Sequence, residues 1–351
     1  MAMEKIEIEE FLILAKSNPV LDARSPGEFG HAHFPGAFNL ALFTNEERKV
    51  VGTAYKQQGR KQAIKIGLDY FGVKMRTMVE EVENISLTTS SNIMLVHCWR
   101  GGMRSEAIAW LLDLYGYKIY MLKGGYKKFR QYVVETFIQS FRFKILSGFT
   151  GSGKTSLLKE LSLLGKATID LEALAHHRGS AFGAINQLPQ PSQEMFENSL
   201  ALELRNVLNV DTWIEDESQR IGSVIVPAKL WEQMQHSPDY FIDVPFEIRL
   251  LNIKNDYGSL ENEKLVDAVK RIQKRLGGLE TKMVITYLLE NNQTEGFRIL
   301  LKYYDKCYLK SLINRHKNYP EQHIINSENG DLTEEVAILR KLTDVLQDKH
   351  I

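Results

Sequence analysis

The sequence predicts an α/β protein made of two parallel-sheet domains, the second running into a mainly helical C-terminal region. Three observations carry this. The chain has 351 residues, too many for one ordinary core. Its first half alternates short apolar runs with segments of helical period, the pattern of strands joined by crossover helices. A second alternation opens on a glycine-rich loop, Gly148 to Thr155, set between an apolar run and an amphipathic stretch. The boundary is placed near residue 140, giving domains 1–138 and 139–351.

The elements follow in order. Val20-Leu21-Asp22-Ala23 reads as a strand closed by the turn residues Ser25-Pro26-Gly27. Ile93-Met94-Leu95-Val96 is a buried-strand run. Ile108, Leu111, Leu112 and Tyr115 recur at helical spacing, so a helix covers about 104–115 and stops at Gly116. Ile119 to Leu122 is a strand closed by Gly124-Gly125, and a helical connector is expected from Tyr126 to Ser140. A strand from Phe141 ends at Gly148, and Leu157, Leu158, Leu161 and Leu164 form the helix after the loop, with Gly165 as its stop. Thr212-Trp213-Ile214 reads as a strand ending in acids, and the chain turns mainly helical from Leu265.

Composition narrows the class. A chain with 44% hydrophobic and 25% charged residues is globular. No run reaches the ~18 apolar residues of a membrane span. The acidic start MAMEKIEIEE has no signal-type apolar core, so a cytoplasmic protein is expected. Two cysteines, Cys98 and Cys307, are read as free thiols, with Cys307 at a packing position. Net charge is zero, yet residues 1–144 carry 20 basic against 15 acidic groups. Eight of those basic groups fall in residues 48–76 beside one acid, Asp69. Arg48, Lys49, Lys56, Arg60 and Lys61 are therefore candidate RNA contacts, with a solvated helix face as the plain alternative.

Gly148-Phe149-Thr150-Gly151-Ser152-Gly153-Lys154-Thr155 satisfies G-x-x-x-x-G-K-[ST] in full. Gly148, Gly151 and Gly153 let the backbone wrap a phosphate so that N–H groups, Ser152 included, point inward. The following helix N-terminus adds partial positive charge. Lys154 neutralises phosphate oxygens and Thr155 is suited to Mg²⁺. Asp170, Glu215 and Asp216 are candidate metal or substrate contacts, in the manner of acids at a strand end. His176 and His177 lack the spacing of a four-ligand site and are read as part of a substrate loop. The motif leaves open which phosphate compound is bound.

His97-Cys98-Trp99-Arg100-Gly101-Gly102-Met103-Arg104-Ser105 lies between a strand and a helix. Cys98 faces backbone N–H groups at a helix start, and Arg100 and Arg104 add positive charge; all three favour a thiolate. The chemistry is nucleophilic attack or carriage of a chalcogen atom. The same spacing of Cys98 and Arg104 also serves cysteine phosphatases.

Leu21-Asp22-Ala23-Arg24-Ser25-Pro26-Gly27-Glu28-Phe29, His31-Ala32-His33-Phe34-Pro35-Gly36-Ala37-Phe38-Asn39 and Lys123-Gly124-Gly125-Tyr126 resemble the rhodanese pattern. The second domain is P-loop NTPase-like. The cysteine loop, His177-Arg178-Gly179-Ser180-Ala181-Phe182-Gly183, Glu215-Asp216-Glu217-Ser218 with Arg220-Ile221-Gly222, and Val51-Gly52-Thr53 with Tyr55-Lys56-Gln57 together resemble the tRNA 2-selenouridine synthase family along nearly the whole chain. The resemblance implies exchange of sulfur for selenium in the wobble 2-thiouridine of tRNA. It implies selenophosphate as donor, S-geranyl-2-thiouridine as intermediate and geranyl diphosphate as its source. Cys98 matches the family's selenium-carrying cysteine. It also implies a selenophosphate-producing enzyme as supplier. A tRNA sulfurtransferase, a cysteine phosphatase with a nucleotide-binding domain, and a non-enzymatic sensor are the rival readings.

Overall fold

The computed structural model describes residues 3–318, 322–327, 330 and 336–337. The chain divides into two compact units, 1–136 with 194–202, and 137–193 with 203–351. Segment 194–202, assigned by the sequence reading to the second domain, thus belongs with the first.

The first unit holds a five-stranded sheet in the order β1-β5-β4-β2-β3. Its strands are β1 (Met3–Ile6), β2 (Val20–Asp22), β3 (Phe38–Asn39), β4 (Ile93–His97) and β5 (Lys118–Leu122). All neighbours pair parallel. Parallel strands need a helix on each crossover, so the central strands are buried on both faces. Met94, Leu95 and Val96 are accordingly fully buried, and Ile108, Ala109 and Leu112 of the helix Met103–Tyr115 pack nearby in the core. The connector helix runs Gly125–Thr136, shorter than the span to Ser140 that its sequence suggested. The basic run lies on three successive helices, Asn45–Gln57, Arg60–Gly72 and Met75–Thr89. The first starts at a capping box in which Thr44 and Glu47 satisfy each other's N–H groups.

Residues 194–202 come from the helix Gln193–Asn206. Asn198 is fully buried and donates to the His33 carbonyl and to Tyr126 Oη, both at 2.8 Å. Arg130 donates to Asn198 at 2.6 Å and to Glu197 at 2.5 Å. Buried polar groups must be satisfied, and these bonds explain why the segment joins this core.

The second unit holds β6 (Arg142–Gly148), β7 (Ala167–Ile169), β8 (Asp211–Glu215), a small hairpin of β9 (Arg220–Ile221) and β10 (Val224–Ile225), β11 (Asp239–Asp243) and β12 (Gln322–Asn326). The main sheet runs β12-β11-β6-β8-β7, all parallel. The strand feeding the phosphate loop is therefore central. The helices Asn262–Leu276, Gly278–Leu289 and Gln293–Asn318 agree with the helical reading after Leu265. One part of it is corrected: β12 returns to pair with β11 along its whole length. Its His-Ile-Ile core is too short for a sequence pattern to separate strand from helix. The helical expectation for residues beyond 337 lies outside the described residues. Among the described residues, no helix is long and apolar enough to cross a membrane.

Candidate functional site

Each unit carries its own constellation. In the first, Asp22 and His97 are register partners at the ends of β2 and β4, and Cys98 follows directly. Asp22 and Arg24 are fully buried and form a forked ion pair, with Arg24 Nη2 2.6 Å from Asp22 Oδ2. Arg24 also donates to the Ala32 carbonyl at 2.8 Å and lies 3.7 Å over the Tyr126 ring. Asn39 donates to the carbonyls of Asp22 and Arg24. The residues of the Asp-Ala-Arg and Phe-Asn motifs thus lock the strand ends that present the cysteine. A pair so deeply buried is held by its geometry, since removing one partner leaves a charge unpaired.

The cysteine loop is interlocked with the Gly124-Gly125 turn. Gly125 has φ +58°, and a Cβ there would stand 2.3 Å from the Cys98 carbonyl oxygen and 2.5 Å from the Gly101 nitrogen. Only glycine fits. The backbone N–H groups of Tyr126 and Lys127 then donate to the carbonyls of Cys98 and Trp99 at 2.8 and 3.0 Å. This occupies those two carbonyls, while the N–H groups of Arg100 and Ser105 bond to the sulfur.

Cys98 is 4% exposed. Burial pushes its thiol up, but Ser105 (hydroxyl and N–H), the Arg100 N–H and the Arg104 charge outweigh burial and hold it below the ordinary thiol range. Ser105 Oγ is 3.3 Å from Sγ and 2.9 Å from the Gly102 carbonyl. The helix Met103–Tyr115 starts at Gly102 and adds its dipole. Arg100 contributes through its backbone, while its side chain is exposed. Arg104 is fixed by Glu28, with Nη1 2.7 Å from Oε2, and this pairing holds the Glu28 carboxyl below its usual range against the effect of burial.

A cavity of about 1070 Å³ opens beside this loop, lined by Cys98, Trp99, Arg100, Met103 and Arg104 together with the helices of the basic run. Arg48, Lys49 and Lys56 line it; Arg60 and Lys61 lie outside the lining. Within the run, Arg48 pairs with Glu28, Lys74 with Glu47 and Arg76 with Glu80. Among the described residues, Lys49, Lys56 and Lys61 form no ion pair.

In the second unit, the loop 148–154 joins β6 to the helix Lys154–Leu163. Lys154 Nζ donates to the Gly148 carbonyl at 2.7 Å. Arg249 braces the loop from behind, donating to the Thr150 carbonyl at 3.2 Å and to both carboxylate oxygens of Asp305 at 2.9 Å. Tyr308 accepts from the Gly148 N–H at 3.2 Å and donates to Asp216 at 2.7 Å. Tyr304 accepts from the Ala181 N–H at 2.9 Å, which fixes the His177–Gly183 turn. Asp305, Tyr304 and Tyr308 come from a helix in which the sequence showed no chemistry; its run of tyrosines was the available signal. Cys307 of the same helix is exposed and lines the phosphate cavity, which corrects its reading as a packing residue.

Glu172, Glu215 and Glu217 place carboxylate oxygens within 4.8 Å of one another. Thr155 Oγ1 is 3.4 Å from Glu172 Oε2. Burial and the neighbouring carboxylates push Glu215 up to about 8 and Glu217 well above the carboxylate range. Burial also raises Glu172, although Lys154 opposes it. Gly179, at φ +61°, lies over this cluster: a Cβ there would stand 2.8 Å from Glu217 Oε2 and 2.9 Å from Glu172 Oε1. Of the acids singled out from sequence, Glu215 is in the cluster, Asp170 caps a helix by accepting from the Ala173 N–H, and Asp216 accepts from Tyr308. Glu172 and Glu217 complete the cluster instead. A cavity of about 740 Å³ joins the loop, these acids and the tyrosines.

The model of the "tRNA 2-selenouridine synthase AAA domain" matches residues 141–329, and the "Rhodanese-like domain" model matches residues 7–132. The tRNA 2-selenouridine synthase of Sulfurovum sp. (strain NBC37-1) is 35% identical over 84% of this chain and 89% of its own. Those of Shewanella pealeana and Bdellovibrio bacteriovorus are each 34% identical, over 88% and 90% of this chain and 93% and 95% of theirs.

Proposed function

The chain belongs to the tRNA 2-selenouridine synthase family, and on that premise we propose that it replaces the sulfur of a wobble 2-thiouridine in tRNA with selenium, in two steps divided between its units. The observation that carries this is the setting of Cys98, a buried thiol lowered by inward N–H groups and a fixed arginine.

In the first step the P-loop unit binds geranyl diphosphate. The thiouridine sulfur bonds to the terminal carbon of the geranyl group, the carbon–oxygen bond breaks and diphosphate leaves. Lys154 and the loop N–H groups take up the charge that grows on the leaving diphosphate. Three converging carboxylates beside Thr155, each raised by burial, suit a hard divalent cation such as Mg²⁺. Bound there, the cation would neutralise diphosphate oxygens, with Glu172, Glu215, Glu217 and Thr155 as its holders.

The second step belongs to Cys98. Selenophosphate is the donor, its phosphate suited to the N–H cradle: the Cys98 thiolate bonds to its phosphorus, the phosphorus–selenium bond breaks and selenide is released beside the base. Selenide bonds to C2 of the base, the carbon–sulfur bond breaks and geranyl thiolate leaves, while water cleaves the phosphorus–sulfur bond, releases phosphate and restores Cys98. Alkylation makes this sulfur a better leaving group. A selenophosphate-producing enzyme supplies the donor, and the tRNA substrate sets the cytoplasm as the place of action.

Arg48, Lys49, Lys56, Arg60 and Lys61 are the proposed tRNA contacts. Each phosphate they neutralise steepens the fall of affinity with salt. Charge removal at Lys49 and Lys56 should lower the slope of log K against log salt by about one to two. An unchanged slope removes them from the interface. The activity itself is tested by nucleoside mass spectrometry, which should find selenium in place of sulfur.

A further inference from the structure

We propose that the apolar cavity beside Cys98 seats the geranyl chain of the S-geranylated thiouridine and so selects that intermediate for selenium transfer. This rests on the function proposed above and names what its second site recognises.

The cavity, about 1070 Å³, is formed by the first unit alone. Phe43 and Phe71 are buried in it, and Val51, Ile64, Leu68 and Met103 complete an apolar lining. Ile64, Leu68 and Met103 are 36%, 57% and 45% exposed. Exposed apolar side chains gathered around an open hollow of this size mark a surface that a ligand covers. The polar part of the lining is cationic at Arg48, Lys49 and Lys56, and the hollow reaches the cysteine loop through Cys98 and Gly102.

These features describe the occupant. It has an apolar tail, an electrophilic carbon near the tail's point of attachment, and anionic groups to meet the cations. Selenophosphate has no tail, and unmodified 2-thiouridine has none either. S-geranyl-2-thiouridine in a tRNA has all three: the chain is bonded to sulfur, the sulfur to C2, and phosphates flank the nucleoside. With the chain seated, C2 is carried toward Cys98. The two steps are then ordered by recognition, because a base that has not been alkylated lacks the anchor.

The test uses the full-length protein and two anticodon stem-loops, one with S-geranyl-2-thiouridine and one with 2-thiouridine. The wild-type protein should bind the geranylated loop at least about tenfold more tightly, from burial of the chain. Leu68→Gln and Ile64→Gln change exposed, uncharged positions, so the fold is retained, as thermal unfolding will verify. Both should reduce the preference about tenfold while leaving the plain loop's affinity unchanged. Leu68→Met should restore it. Equal wild-type affinity for the two loops, or variants that keep the full preference, overturns the cavity assignment if the wild type still converts the geranylated loop to selenouridine. No conversion of that loop by the wild type overturns the function on which the assignment rests.

Discussion

The cysteine loop and the phosphate loop solve opposite electrostatic problems. Around Cys98 the protein supplies its own compensation: Arg104 is held by Glu28, Asp22 by Arg24, and the sulfur by Ser105 and backbone N–H groups. The thiol is lowered before any ligand arrives. Around Lys154 compensation is incomplete. Three carboxylates converge and all are raised, by burial first and then by neighbouring carboxylates, with Lys154 as the cation opposing them. The first site is pre-set for a nucleophile; the second holds an excess of carboxylates that the proposed cation and diphosphate would complete.

Three experiments break or sharpen this contrast. The largest effect is expected from Lys154→Ala, which removes the charge that the proposed diphosphate leaving group would need. S-geranylation should fall by about a hundredfold or more, while selenium transfer to an already geranylated loop persists. Loss of both steps would break the division between the units. Next comes Ser105→Ala, which deletes the hydroxyl beside Sγ. The thiol should rise, and alkylation of Cys98 by iodoacetamide near neutral pH should slow about fivefold, the worth of one hydrogen bond. An unchanged rate would mean that the N–H groups suffice without the hydroxyl.

The smallest effect concerns pH. Glu215 is raised to about 8 in the folded chain, against an ordinary value near 4.5. Between those values the native state holds a proton that the unfolded chain has lost. Stability of the second unit without added cation therefore falls as pH rises through this window. Mg²⁺ should raise its melting temperature by a few degrees at pH 8 and by less at pH 6, where protons compete for the carboxylates. Glu215→Gln should reduce that difference, with Glu172 and Glu217 left to supply the rest. An equal Mg²⁺ effect at both pH values, or none, contradicts the cation site.

Much of this was legible in the sequence because short motifs dictate backbone geometry. The strand–glycine loop–helix patterns at Cys98 and Lys154 fixed both parallel sheets, and Gly124-Gly125 marked the turn that clamps the cysteine loop. Contacts made across sequence distance were not legible. The 194–202 segment joins the first unit through Asn198, whose partners His33 and Tyr126 lie far away in the chain. Glu172 and Glu217 are ordinary acids until the fold brings them beside Glu215. Tyr304, Asp305 and Tyr308 gain a role because their helix lies behind the phosphate loop. The apolar cavity likewise draws on three separated segments, and the motifs in two of them, at Val51–Lys56 and at the cysteine loop, give no sign that Phe43, Ile64, Leu68 and Phe71 gather beside them.

The most direct test of the central claim is nucleoside mass spectrometry on 2-thiouridine tRNA incubated with geranyl diphosphate and selenophosphate, using wild-type protein beside Cys98→Ala. The account predicts 2-selenouridine with the wild type, and accumulation of S-geranyl-2-thiouridine without selenouridine in the variant. Selenouridine formed by Cys98→Ala at the wild-type level, or tRNA left unchanged by both proteins, would contradict it.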